Sequence, residues 1–373
     1  MHHQFPYAQH ARELIRHFTP NWFTVCMGTG IVALILAKFA PISSVFFELG
    51  QLLWLLNSLL FVLLSTLYGL RWLLYPHEAR RILSHPSMLL FFGAIPMALA
   101  TILNGVLVFA VPLYGESAVN IALALWYLDV VLAVIIAWGV PFCMYSRQQH
   151  CLTNMSAVWL LPIVACEVAA SSGGMLLAYL PASSQSAAIL IASYVLWGVS
   201  VFPAFAILTL LMLRLALHQL PAKELAISSW LALGPIGTAA LALLLLGAQA
   251  PAVMSSFGAA ELGQMMQQMG TWISVLLLGF ALWWLGIAAL TTLYHLRRDL
   301  PFNLGWWALT FPLGVVTLAL FQLAAQLPLG FLTALAQSCA VILFGLWLMV
   351  MVKTLVGVSQ GQLIFSPCLQ QDT

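Results

Sequence analysis

The run Gly305-Trp-Trp-Ala-Leu-Thr-Phe-Pro-Leu-Gly-Val-Val-Thr-Leu-Ala-Leu320 decides how this chain is read. It is apolar and long enough to lie inside a membrane, yet Pro312 and Gly314 interrupt it near its middle. A proline inside a helix removes a backbone hydrogen bond and kinks the rod. Hydrocarbon offers no partner for the freed groups, so such a break belongs against other helices or against water in a cavity. The expectation is that Phe311, just before the proline, plugs a pore built from five such broken helices.

Composition supports the membrane setting. Of 373 residues, 63% are hydrophobic and only 6% charged, against roughly 25% charged in a soluble domain, and the mean hydropathy is +1.03. No water-soluble surface can be built from these residues, so the chain is a polytopic membrane protein. Cys26, Cys143, Cys151, Cys166, Cys339 and Cys368 are scattered without Cys-x-x-Cys pairing, which offers neither a metal motif nor a disulfide framework. Residues 1–20 hold Arg12, Glu13, Arg16 and four histidines, too polar for a signal peptide. The first span is therefore expected to act as its own insertion signal.

A spanning helix needs about 20 mostly apolar residues. Ten such runs occur, near 21–40, 50–73, 87–111, 118–144, 155–180, 186–216, 224–248, 267–294, 304–325 and 329–356. The division expected is a cytoplasmic segment 1–20, a ten-helix pore domain 21–356 and a cytoplasmic tail 357–373. With ten spans, one side collects Arg12, Arg16, Arg71, Arg80, Arg81, Arg147, Arg214, Lys223, Arg297, Arg298 and Lys353, leaving only Lys38 near the other face. All nine histidines fall on the crowded side as well. The positive-inside rule makes that side cytoplasmic, with both termini inside; the expected location is the plasma membrane, a bacterial inner membrane.

The odd-numbered runs share a pattern. Trp307 is followed by Pro312 five residues on and Gly314 seven on; Trp230, Pro235 and Gly237 repeat those offsets. Phe91 and Pro96 are five apart, and Trp22 has Met27 in the proline slot, followed by Gly28, Thr29 and Gly30. Run five departs, since Pro162 follows Trp159 by three. Breaks at 28, 96, 162, 235 and 312 recur about every 70 residues, the length of one helical hairpin. The expected fold is all-α: five tandem hairpins around a central pore, odd helices inside and even helices outside. Small residues at the breaks, Gly28, Gly30, Gly93, Gly234, Gly237 and Gly314, allow close helix approach.

Aligning the breaks puts Phe311 at one level of the pore with Cys26, Ile95, Gly234 and either Leu161 or Ile163. One aromatic among smaller groups closes an axis by excluding water. Thr24, Thr29, Thr238, Thr310 and Thr317 are candidate hydroxyl donors to an anion. Asp129 and Glu167 lie at mid-depth, where a carboxylate needs a cavity or a partner. Aligned by its tryptophan, run five turns Glu167 into the pore; aligned by its proline, it turns Glu167 away. The open readings are substrate repulsion, proton coupling, a hydrogen bond that fixes a neighbouring helix, or a protonated carboxyl satisfied by a nearby Ser, Thr or Trp. Asp129 sits on an outer helix and reads as structural. No histidine lies within a span, and no polar cluster of the kind an intramembrane enzyme needs is present. The expected partners are small anions and the bilayer, with no nucleic acid, no cofactor and no metal.

These residues also resemble a known family. His17-Phe-Thr-Pro-Asn-Trp-Phe-Thr-Val-Cys-Met-Gly-Thr-Gly-Ile31, Phe302-Asn-Leu-Gly-Trp-Trp-Ala-Leu-Thr-Phe-Pro-Leu-Gly314 and the closing Gly361-Gln-Leu-Ile-Phe-Ser-Pro-Cys-Leu369 resemble the tellurite-resistance/dicarboxylate transporter family. That family includes malate permeases, fungal sulfite efflux pumps, bacterial tellurite-resistance proteins and plant slow anion channels. The resemblance implies ten helices in five hairpins, a homotrimer with one pore per subunit, and occlusion by the phenylalanine before the ninth-helix proline, which falls on Phe311. The Met27-Gly28-Thr29-Gly30 opening is more similar to the malate and sulfite carriers than to the tellurite branch. C4-dicarboxylates such as malate are the first expectation for the cargo, and sulfite, tellurite or another inorganic anion the alternative.

Overall fold

The computed structural model describes residues 7–297, 300–364 and 366–369, with side chains from residue 12 onward. His2, His3 and Arg298, three of the residues in the charge argument, lie outside them. Among the described residues there are ten helices long and apolar enough to cross a membrane, and no strand. In chain order they are α1 (Pro20–Ala37), α2 (Ser44–Leu74), α3 (Met88–Tyr114), α4 (Glu116–Arg147), α5 (Ala157–Leu177), α6 (Ser184–His218), α7 (Lys223–Ser255), α8 (Ala260–Leu296), α9 (Leu304–Gln326) and α10 (Gly330–Ser359). A short amphipathic helix, Tyr7–His17, precedes them.

The spans divide into two classes. In the most apolar stretch of each odd span, 72–94% of residues are buried inside the protein; in the even spans the figure is 22–33%. Lipid can solvate an apolar helix on most of its face, but only packed neighbours can bury one all round. The odd spans are therefore the inner layer and the even spans the outer one. Inner neighbours follow chain order: α1 packs on α3, α3 on α5, α5 on α7, α7 on α9, and α9 returns to α1. Each even span packs against the odd span before it.

Close approach inside the ring depends on missing side chains. A Cβ on Gly314 of α9 would lie 2.7 Å from Ile31 of α1, and one on Gly93 of α3 would lie 2.2 Å from the Leu161 carbonyl of α5. Gly28, Gly30 and Gly237 are similarly crowded, by Thr310, Thr101 and Val316. Gly234 is the exception to the expected pattern. A Cβ there would meet nothing within 4 Å.

The breaks differ in kind from the expectation. Each odd span opens with a 3₁₀ turn and changes to α-helix at Phe23, Ala94, Leu161, Leu233 or Phe311. Pro162 and Pro312 are the second residues of their α-helical portions, and Pro96 and Pro235 the third. In a first turn the backbone N–H has no helical acceptor, so proline costs nothing and fixes φ for the helix that follows. These prolines start helices and do not kink them. Proline also sits inside unbroken helix, at Pro141 in α4, Pro203 in α6 and Pro251 in the last two turns of α7.

The two layers are held by tryptophans. Trp54 of α2 donates its indole N–H to the Ile102 carbonyl of α3 at 3.1 Å, Trp126 of α4 to Ala169 of α5 at 2.9 Å, and Trp197 of α6 to Ala239 of α7 at 3.1 Å. Trp347 of α10 reaches Thr29 Oγ1 of α1 at 3.3 Å, so the last outer helix is tied to the first inner one. These donors recur 72 and 71 residues apart (126−54 and 197−126). This second repeat lies in the even spans, outside the Trp/Pro/Gly pattern of the odd ones.

Candidate pore

All five odd spans begin at the same end of the ring, around a vestibule of about 290 Å³. Met27 of α1, Phe91 of α3, Leu161 of α5, Leu231 of α7 and Ala308 of α9 contribute one side chain each to its wall. Deeper on the same axis is a closed space of about 10 Å³, walled by Met27, Met97, Leu161, Gly234, Phe311 and Pro312, again with every odd span represented. Met27, Leu161 and Leu231 belong to both walls, so the two spaces are stacked. A space of this size holds at most about one water. The axis is therefore narrow at the depth of Phe311, whose side chain is 3% exposed.

The chain positions Phe311 through local chemistry. The 3₁₀ turn Leu304–Leu309 ends at Thr310, whose hydroxyl donates back to the Trp307 carbonyl at 2.7 Å. Trp307 donates its own N–H to Thr354 Oγ1 of α10 at 3.1 Å. The turn is thus anchored to the outer layer on one side. Pro312 then sets the direction of the α-helix immediately after Phe311.

The structure sorts the expected site residues. Phe311, Pro312, Met27, Gly234 and Leu161 meet on the axis. Cys26 and Ile95 line neither space; α3 contributes Met97 instead. Counted from the start of the α-helical portion, Ala94 stands where Phe311 and Leu161 stand, and Met97 is one turn further on, beside Val164 of α5. Alanine is too short to reach the axis, and the longer methionine does. Of the five threonines, only Thr24 lines a cavity. Thr24, Thr310 and Thr317 donate to carbonyls within their own turns, and Thr29 accepts from Trp347 on the far side of α1. Thr238 is buried without a hydrogen-bond partner among the described residues. Gly28, Gly30, Gly237 and Gly314 serve helix contacts, and Pro96, Pro162 and Pro235 helix starts.

Glu167 turns outward, as the proline alignment requires. Its Oε1 accepts from Ser200 Oγ of α6 at 2.9 Å, and the same hydroxyl lies 2.8 Å from the Ile163 carbonyl. Asp129 is fully buried on α4, three residues after the Trp126 tether, with no hydrogen-bond partner for either oxygen among the described residues. Neither carboxyl lines the vestibule or the closed space.

Electrostatically the vestibule is weak. No lysine or arginine lines it among the described residues, and its one charged group is Glu224, exposed at the rim. Two basic side chains that the charge argument counted are structural anchors. Arg71 donates to the Phe18 carbonyl and to Ser366 Oγ, and Arg214 donates to the carbonyls of Thr153 and Gln219. The tail held by Arg71 brings Pro367 to the vestibule wall.

With this geometry in hand, comparison with known proteins is informative. The model of a family described as voltage-dependent anion channel matches residues 17–355. A sulfite efflux pump of Arthroderma benhamiae is 35% identical over 342 residues, 91% of this chain and 90% of that protein. An uncharacterised transporter of Methanocaldococcus jannaschii is 25% identical over 94% of this chain and 97% of its own length. The malic acid transport protein of Schizosaccharomyces pombe is 23% identical over 80% of this chain and 68% of its own length. The family is one of anion channels and transporters and not of enzymes. A match along most of the chain, and 35% identity across nine-tenths of both partners, establish that this multi-pass membrane protein belongs to the voltage-dependent anion channel family.

Proposed function

We propose that this protein carries small anions along the axis of its inner ring, and that Phe311 is the side chain that closes it. One observation carries the reading: every odd span contributes to the wall of the vestibule and to the wall of the space that holds Phe311. An apolar constriction of that size keeps water, and with it a hydrated ion, from passing. In this reading, opening is a movement of the Phe311 ring, which walls the deeper space and not the vestibule. The five-hairpin arrangement around a pore, with both termini cytoplasmic, is part of the same proposal, supported by the order of the inner contacts and by the eleven basic residues on one side.

The cargo we propose is a small oxyanion of the sulfite class, ahead of the C4-dicarboxylates expected from the sequence. Three relatives named as sulfite efflux pumps are 34–35% identical over 90% of their length, and two more are 28% and 23% identical over 66% and 80%, whereas the malic acid transporter is 23% identical over 68%. A homotrimer with one axis per subunit accords with the family resemblance. The test is uptake of labelled sulfite and labelled malate into proteoliposomes, with and without a pH gradient. Saturable sulfite flux above malate flux is expected. Malate flux alone would restore the dicarboxylate reading, and flux of neither would remove both.

A further inference from the structure

The polar groups of the vestibule include one side-chain amide with both of its hydrogens free. Thr24 spends its hydroxyl on the Asn21 carbonyl at 2.6 Å, and Ser228 spends its own on the Leu225 carbonyl at 2.6 Å. Asn303 is pinned at both ends, with one hydrogen left: Nδ2 donates to the Glu224 carbonyl at 3.1 Å, and Oδ1 accepts the Gly305 N–H at 2.8 Å. Ser87 and Glu224 are exposed at the rim, and Glu224 repels an anion. Asn21 is different. Its Oδ1 accepts the hydroxyl of Thr19, which is 1% exposed, at 2.6 Å. That separation is the length of an O–H···O bond and is short for N–H···O. The contact therefore fixes the oxygen end of the amide and leaves the Nδ2 hydrogens for the vestibule that Asn21 lines.

We propose that the Asn21 amide is the anion-recognising donor of the vestibule, held in register by the Thr19 hydroxyl. The inference rests on the anion-transport reading and names the group that meets the cargo there. Asn21 precedes Met27, which borders the closed space, by six residues, so it stands about 10 Å before the constriction. A neutral amide suits a transit site. It compensates part of an oxyanion's lost hydration with a charge-assisted hydrogen bond, and it does not hold the ion as a buried cation would. Thr19 is a positioning residue, since it acts through Asn21.

The experiment uses the full-length protein in two formats: labelled sulfite flux in proteoliposomes, and stabilisation of the detergent-purified protein against heat by sulfite. Asn21→Leu is expected to raise the half-saturating sulfite concentration about tenfold in both, with little change in maximal flux. Asn21→Asp is expected to raise it further, because it puts a second carboxylate at the vestibule. Thr19→Val, which removes no group from the wall, is expected to raise it two- to threefold by letting the amide flip. A folded Asn21→Leu protein, with an unchanged melting temperature in the absence of anion, that shifts half-saturation by less than twofold would overturn the inference while leaving transport in place. Absence of flux with Asn21-dependent stabilisation intact would remove the transport reading and keep the binding group. Absence of both flux and stabilisation would remove both.

Discussion

Gly234 and Phe311 face the same closed space from α7 and α9, and a methyl group placed on Gly234 would touch nothing. The glycine keeps room beside the ring. Phe311→Ala is expected to raise anion current in planar bilayers by one to two orders of magnitude, since it removes the largest group from a space of about 10 Å³. Currents equal to wild type would mean that the axis closes elsewhere.

Gly234→Leu tests the same pair from the opposite side. The added side chain enters the room next to Phe311, so the double variant Gly234→Leu with Phe311→Ala is expected to return current toward the wild-type level. Gly234→Ala, whose methyl group meets nothing, is expected to keep the wild-type melting temperature. The single Gly234→Leu variant is expected to lower it, because a leucine overfills a space of about 10 Å³ that still holds the Phe311 ring.

Gly314→Ala behaves differently because that position is crowded. Its Cβ would lie 2.7 Å from both Cγ atoms of Ile31 on α1. Overpacking of this kind costs about 1–3 kcal/mol, read as a lower melting temperature. Ile31→Ala in the same chain is expected to recover part of the loss. Additive destabilisation by the two substitutions would show that α1 and α9 do not meet there.

Glu167 points at α6, which predicts a structural result where proton coupling was an open expectation. Ser200→Ala removes the partner of Glu167 Oε1 and is expected to destabilise the protein by about 1–3 kcal/mol. Glu167→Gln keeps a hydrogen-bonding group in place, and the pH dependence of sulfite flux is expected to survive it. Loss of that dependence in Glu167→Gln would return the carboxyl to the transport path.

Two histidines next to segments that line the vestibule accept backbone N–H groups through Nδ1. His85 accepts from Ser87 at 3.2 Å and Met88 at 3.1 Å, and His17 accepts from Ser366 at 3.3 Å, next to the wall residue Pro367. A protonated ring has no lone pair for this. Burial holds both rings below the ordinary histidine value of 6.5; around His17, Arg16 and Arg71 act in the same direction, and Glu13 and Glu78 oppose it. With the folded value lowered, the unfolded chain takes up the proton first as pH falls. Stability is full above about pH 6.5 and is lost on acidification toward the depressed folded values. Melting temperature should therefore fall as pH drops below 6.5, and His85→Asn, whose Oδ1 can cap without titrating, should flatten part of that slope. An unchanged slope in His85→Asn would assign it to other groups.

The ten spans were legible because lipid demands long apolar runs, and these resist misreading. The inner and outer layers were legible in part, because breaks recur in odd runs. The meaning of the breaks was not. Pro312 looks the same in a sequence whether it kinks a helix or begins one; only the 3₁₀ turn Leu304–Leu309 before it separates the two. Phe311 could be placed at the start of its α-helix because the proline that follows it marks that start. Met97 was missed because alignment on proline ignores where each α-helix starts. Asn21 was missed because its role depends on how the hydroxyls of Thr19 and Thr24 are spent. The tether of Trp54, Trp126 and Trp197 could have been found from its period alone.

That tether has a mechanical consequence. The indoles of α2, α4 and α6 each grip the inner helix ahead of them, the Thr271 hydroxyl of α8 donates to Gln326 Oε1 of α9 at 2.7 Å, and Trp347 carries the grip from α10 back to α1. The outer layer is thus a hoop, and widening the ring at one seam strains hydrogen bonds at its neighbours. Movement of whole helices becomes costly, while rotation of a single aromatic ring stretches none of them. A barrel bound in this way responds at its stopper before its staves.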